Sequence, residues 1–216
     1  MISHYSENIF VKSLISGFII AIACSAYLSV DNKYIGGLLF SFALFCIIQF
    51  GFALFTGRVG YIPDNAPSYI FEVLTAFIGN IIGVICSAFL LSLTRTWEKI
   101  HASAVPVAES KLNDSPYSSI ILGFFCGLLM YLAIENSKVC RIKNYDVSLV
   151  FGTVLPVMLF IFCGFNHCIA DTFYILAYGM NFKGALYILT IAIGNSLGAM
   201  MIPLVKKISR ITTADK

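Results

Sequence analysis

The sequence predicts an all-α membrane protein with six transmembrane helices, arranged as two inverted three-helix repeats in which the second and fifth helices are broken. Three observations point there. Charged residues make up 12% of the 216-residue chain and hydrophobic ones 59%, against about 25% charged in an ordinary soluble domain. The apolar residues collect into six runs, each long enough to cross a hydrocarbon core of roughly 30 Å. Three glycine-centred landmarks recur in the same order in the two halves.

The spans run over about residues 10–30, 35–55, 69–93, 118–134, 147–178 and 184–205. Repeat one takes in about 10–93 and repeat two about 117–206. Between them lies the longest polar segment, a linker over about 94–116, and a short tail follows over 207–216. The whole chain, 1–216, reads as a single transmembrane channel domain. Ile22-Ala23-Cys24 would suit a lipoprotein signal, but the repeat needs the first span as a helix.

In the landmarks, Gly17-Phe18 is answered by Gly123-Phe124. Gly51-Phe52 with Phe55-Thr56-Gly57 is answered by Gly164-Phe165 with His167, and Gly79-Asn80 with Gly83 by Gly194-Asn195 with Gly198. Three spans per half place the second repeat upside down relative to the first, and interrupted helices at corresponding positions mark a permeation site. The Gly-x-x-x-Gly pairs allow close helix contact, so Asn80, Asn195 and Gly164 are expected to support the pore through packing. Lys12, Arg58, Lys138, Arg141, Lys143, Lys206, Lys207, Arg210 and Lys216 lie on the side of the termini. Lys33, Arg95, Lys99, Lys111 and Lys183 lie opposite. This bias puts both termini in the cytoplasm of a multi-pass protein of the plasma (inner) membrane, with the lipid bilayer as its surroundings.

Chemistry concentrates at the two breaks. His167 and Asp171 fall near the middle of the fifth run, where ionisable residues face a bundle interior or a water path. They are four apart, so on a helix they share a face and can pair; the plainer alternative is a His167 that only hydrogen-bonds a neighbouring helix. At the other break Thr56 offers a hydroxyl, and Gly57, Gly60, Pro63 and Pro67 predict a loop that returns beside the fifth span. Seven cysteines sit mostly within apolar runs without Cys-x-x-Cys spacing, so neither a metal nor another cofactor is expected. A net charge of +3 gives no reason to expect a nucleic-acid partner.

Leu54-Phe55-Thr56-Gly57 resembles the Leu-Phe-Thr-Gly/Ser motif at the break in helix two of the formate/nitrite transporters. Gly164-Phe165-Asn166-His167-Cys168-Ile169-Ala170-Asp171 resembles that family's Gly-Phe-Glu-His-Ser-x-Ala-Asn at the break in helix five. Lys111, twelve residues before Gly123, matches the family's pore lysine. Phe40, fifteen before Phe55, and Phe160, seven before His167, match its two constriction phenylalanines. The resemblance implies an aquaporin-like protomer with its own pore, assembled into a homopentamer. Its solutes would be small monovalent anions or their acids: formate first, then nitrite or hydrosulfide, with lactate in some members. It implies no enzyme activity, no ATP and no metal. Two positions depart from the family pattern: Asn166 replaces its glutamate and Asp171 its asparagine. Arg58 also adds a positive charge at one mouth.

Leu54, Thr56, His167, Asn166, Asp171, Lys111, Phe40 and Phe160 are thus the candidate pore residues. A small anion loses hydration worth many kcal/mol in apolar surroundings, so it should not pass the phenylalanines bare. Lys111 and helix N-termini would gather anions in a vestibule. His167, between the rings, can then donate a hydrogen bond or a proton, which makes H+ a second transported partner. The alternative is an aquaporin-like channel for water or small neutral solutes, which the missing Asn-Pro-Ala boxes oppose. A membrane-embedded enzyme lacks a third polar group to complete a catalytic set.

Overall fold

The structure, a computed structural model, describes residues 8–214, with side chains as far as Ser209. Lys216, and the side chain of Arg210, lie outside what is described. Helices α1 (Ile9–Ser29) and α2 (Lys33–Gln49) are followed by a short α3 (Phe55–Arg58) and a 3-10 turn, Val59–Asp64. Then come α4 (Tyr69–Ser92), α5 (Trp97–Leu112), α6 (Pro116–Lys143), α7 (Asp146–Phe162), α8 (Cys168–Tyr178) and α9 (Phe182–Ala214). Among the described residues there is no strand. By length and composition α1, α4, α6 and residues Phe182–Ser209 of α9 are long and apolar enough to cross a membrane, whereas α2, α7 and α8 are shorter apolar helices. This is an integral membrane protein.

Local chemistry sets the helix ends. The side chain of Asn8 accepts from the N–H groups of Phe10 and Val11, and that of Asn32 from Tyr34 and Ile35, which occupies donors a helix start leaves open. Ser115 and Pro116 start α6, and Asn144 ends it in the left-handed region at φ 55°.

The two breaks are built alike. Gly51 follows α2 at φ 67° and Gly164 follows α7 at φ 69°. One residue on, the Phe52 N–H reaches back to the Ile47 carbonyl and the Phe165 N–H to that of Phe160, each at 2.9 Å. A left-handed glycine with this long return bond closes a helix sharply and satisfies its last carbonyls. The chain then turns inward. Ala53 N–H donates to Lys12 O and Asn166 N–H to Leu122 O.

Beyond each turn a buried asparagine takes over. Asn80 Oδ1 accepts from the Phe55 N–H at 2.8 Å, while its Nδ2 donates to Ser13 O and Ala53 O. Asn195 does the same for the second break: Oδ1 accepts from Cys168 N–H at 2.9 Å and Nδ2 donates to Gly123 O and Asn166 O. Each side chain satisfies three backbone groups where no water reaches.

Glycines let α1 lie against α4 and α6 against α9. A Cβ on Gly17 would strike the Asn80 carbonyl, and one on Gly127 the Asn195 carbonyl. Gly17 therefore corresponds to Gly127, one turn beyond the Gly123 that the repeated Gly-Phe pair suggests. Helix contacts recur every three to four residues, so a dipeptide match can slip by a turn.

Three further expectations change. The linker is the helix α5, in which Ile100, Ala104, Ala108 and Leu112 are buried and the helix packs on α8 and α1. Its charged residues hide a stripe repeating every four positions. Residues 55–64 are helical instead of forming a loop. Gly57 and Gly60 serve close packing there: added Cβ atoms would lie 3.3 Å from Ile134 Cδ1 and 2.7 Å from Tyr131 Cδ2. Helix α9 runs on to Ala214, taking in most of the expected tail.

Asn195→Ala strands three buried backbone groups and should lower stability by about 2–4 kcal/mol. Gly164→Ala meets no atom within 4 Å and should lose only about 1 kcal/mol of backbone strain. Thermal unfolding in detergent should rank the two in that order.

Candidate functional site

The site forms where the two breaks meet. Closing α7 at Gly164 and starting α8 at Cys168 leaves His167 as the residue before the helix, extended at φ −112°. Its Nδ1 accepts from the Ala170 N–H at 3.2 Å. A backbone N–H can only donate, so Nδ1 carries no proton and the network assigns the ring proton to Nε2. Nε2 lies 3.0 Å from Thr56 Oγ1, to which it donates. Thr56 is 1% exposed and His167 2%. The threonine hydroxyl keeps its own proton for a second acceptor.

His167 and Asp171 do not pair. His167 precedes α8 instead of lying on it, so the four-residue face never forms. The Asp171 carboxylate turns to Lys111, whose Nζ is 3.0 Å from Oδ1 and 3.2 Å from Oδ2. The same ammonium donates to Asn166 Oδ1 at 2.8 Å, and the Tyr187 hydroxyl donates to Asp171 Oδ2 at 3.2 Å. Helix α5 delivers Lys111, the break delivers Asn166, α8 delivers Asp171 and α9 delivers Tyr187. The sequence reading missed Tyr187, which no local motif marks.

Phe40 and Phe160 pack edge to face with centroids 5.9 Å apart and planes at 88°. Phe160 also stacks on His167 at 5.7 Å and 20°. The two rings therefore form one aromatic layer against the histidine, where a ring on either side of it was expected. Leu54 is buried at the start of α3, beside the backbone that Asn80 holds. Arg58 is not a lone mouth cation: its guanidinium pairs with Glu72 at 3.0 Å.

Two cavities flank this arrangement. One of about 1110 Å³ is lined by Lys111, Leu122, Phe160, Asn166, His167 and Asp171, among others. The second, about 570 Å³, is lined by Tyr61, Tyr131, Glu135 and Lys206, among others. Leu122 and Tyr131, both on α6, line one cavity each, and they lie roughly 14 Å apart along that helix at 1.5 Å per residue. The larger cavity has Lys33 and Lys111 in its wall against Asp31, Asp114 and Asp171. Carboxylates thus outnumber ammonium groups, and the positive vestibule expected from Lys111 is not what the fold builds. In the second cavity the Tyr61 hydroxyl donates to Glu135 at 2.6 Å, and Lys138 sits 3.4 Å above the Tyr61 ring. This cluster was also missed.

Apolar helices broken at depth, with a buried polar pair at the junction, define a membrane transport protein. The chain belongs to the formate/nitrite transporter family, whose profile matches residues 2–207; it is a family of transporters and not of enzymes. Formate channel FocB of Escherichia coli strain K12 is 26% identical over 196 residues, covering 81% of this chain and 67% of FocB. Formate channel FocA of the same strain is 25% identical over 186 residues, covering 77% of this chain and 64% of FocA. The chain thus spans about two thirds of the length of these relatives. A solved pentameric formate channel with formate bound superposes with a TM-score of 0.75 at 22% identity, covering 94% of this chain and 96% of that one. An FNT family ion channel gives the same TM-score at 20% identity, covering 89% and 86%. These two likenesses establish the fold.

Thr56→Val leaves the buried His167 N–H without its acceptor and should lower stability by about 1–3 kcal/mol, which Thr56→Ser should restore. Thermal unfolding of the three proteins in detergent checks this.

Proposed function

We propose that the protein is a channel or proton-linked transporter for a small monovalent anion or its acid, with formate the first candidate and nitrite or hydrosulfide next. The observation that carries this is the buried Thr56–His167 pair, where both helix breaks converge at the wall of the larger cavity. The two formate channels among the relatives favour formate.

A solute entering the larger cavity meets the Lys111 ammonium and the Asn166 amide. Beyond them the Phe40–Phe160 layer offers no hydrogen bond, so an ion stripped of water is strongly disfavoured there. Against that layer the Thr56 hydroxyl keeps a free proton, and the Nε2–H of His167 serves a solute that replaces Thr56 as its acceptor. A solute that takes up a proton before the layer and releases it afterwards crosses without exposing its charge. The balance of carboxylates in the wall suits this route, because bulk attraction of anions is weak there. The reading counts each broken pair, α2 with α3 and α7 with α8, as one span. On that count the chain has six spans in two inverted repeats. The excess of Lys and Arg on one side supports cytoplasmic termini in the inner membrane, and the pentameric structural neighbour supports a homopentamer with one pore per protomer. The matched duties of Asn80 and Asn195, and of Gly17 and Gly127, support the repeat.

Uptake of formate, nitrite, hydrosulfide and lactate by proteoliposomes at pH about 5.5 and about 7.5 tests the reading, since the two values bracket the usual histidine range. One anion should enter faster at the lower pH, and His167→Ala should reduce its entry at least about tenfold or remove the pH dependence. Passage of water or glycerol with none of the four anions would overturn this reading in favour of a neutral-solute channel.

A further inference from the structure

Lys111 reaches the cavity with its capacity already used. An ammonium has three N–H donors, and Nζ has three oxygens within hydrogen-bond distance: Asn166 Oδ1 at 2.8 Å, Asp171 Oδ1 at 3.0 Å and Asp171 Oδ2 at 3.2 Å. Tyr187 adds a hydroxyl to Oδ2. The carboxylate so held is 2% exposed and the lysine side chain 14%, and both line the larger cavity with His167 and Phe160. A built cradle for a planar two-oxygen anion is therefore present, and the chain's own carboxylate occupies it.

We propose that Asp171 is a tethered competitor for the anion that Lys111 would bind, and that it sets the affinity of the vestibule. This rests on the reading of the protein as an anion-conducting pore. An incoming carboxylate must exchange with Asp171 at Lys111, taking the ammonium and the Tyr187 hydroxyl that Asp171 releases. The ammonium and the hydroxyl exchange like bonds for like, while the released Asp171 carboxylate turns to water in the cavity it lines. That desolvated carboxylate's loss of its partners is the cost of the exchange. The apparent dissociation constant then equals the intrinsic one divided by the fraction of time Lys111 is open. An attached carboxylate acts at an effective concentration of order millimolar or more, so an intrinsic dissociation constant about a tenth of that concentration leaves Lys111 open about a tenth of the time. The cradle fits a two-oxygen anion such as formate better than a single-atom anion such as chloride. Asn166 completes the device as the neutral neighbour. A carboxylate there would be a second competitor on the same ammonium.

The test is binding of 13C-formate to the purified full-length protein in detergent, followed by line broadening, beside the concentration dependence of uptake. Asp171→Asn should tighten formate binding about tenfold and lower the apparent KM of uptake to match. Chloride binding should change less. Asn166→Asp, nearly the same shape, should act in the opposite direction and weaken formate binding severalfold. It also keeps the proposal testable should Asp171→Asn fail to fold. Formate binding that is unchanged or weaker in folded Asp171→Asn, unchanged in Asn166→Asp, or absent from the wild type overturns the proposal. Binding that shifts as stated while no anion crosses would sink the transport reading and leave this inference standing.

Discussion

A backbone that leaves helical geometry inside an apolar bundle must find a partner for every N–H and C=O it frees, because no water is there to take them. Asn80 and Asn195 meet that demand, each with one acceptor and two donors on three backbone groups. The rest of the structure depends on these amides. They require α1 to lie tightly on α4 and α6 on α9, since Asn80 reaches Ser13 and Asn195 reaches Gly123. That closeness in turn requires glycine at positions 17, 83, 127 and 198, where a Cβ would strike backbone.

Holding the breaks is what exposes useful side chains at depth. On an uninterrupted helix His167 would present its ring to a neighbouring helix and its N–H to its own. As the residue before α8 it spends Nδ1 on the helix start and points Nε2 at Thr56. The same geometry frees Asp171 from His167 and gives it to Lys111. Charge pairing here is local: the ammonium is matched by a carboxylate and an amide within a few ångströms, and the surrounding wall carries more acid than base.

Much of the fold was legible in the residues. The apolar runs gave the order of the long helices, while α3 and α5 were missed and the fifth run divides into α7 and α8. Gly164 marked the second break because a residue that tolerates positive φ closes a helix in that way. The first was expected at residues 54–58 and falls earlier, with α2 ending at Gln49 and Gly51 at φ 67°. Asn80 and Asn195 stood out as amides between paired glycines. The helix α5 was not legible, because its polar residues mask a stripe only one residue wide. Nor was the helicity of residues 55–64, where glycines that look like breakers are there to admit Tyr131 and Ile134. Of the three paired landmarks, the Gly-Phe pair lies a turn away from the glycines that make like contacts, Gly17 on Asn80 and Gly127 on Asn195.

The sequence by itself determined the membrane class, that the second and fifth spans are interrupted, and the residue types that meet at the site. Those follow from local rules: hydropathy over twenty residues, glycine at positive φ, and the cost of a histidine or carboxylate in lipid. Only the tertiary structure decided who pairs with whom. His167 took Thr56 from the other half of the chain, Asp171 took Lys111 and Tyr187, and Phe40 and Phe160 became one layer. Partnership between distant segments depends on how α2, α3, α5, α7, α8 and α9 cross, to within an ångström or two. No spacing along one chain encodes such distances, because they arise only once glycines and amides have locked the helices together.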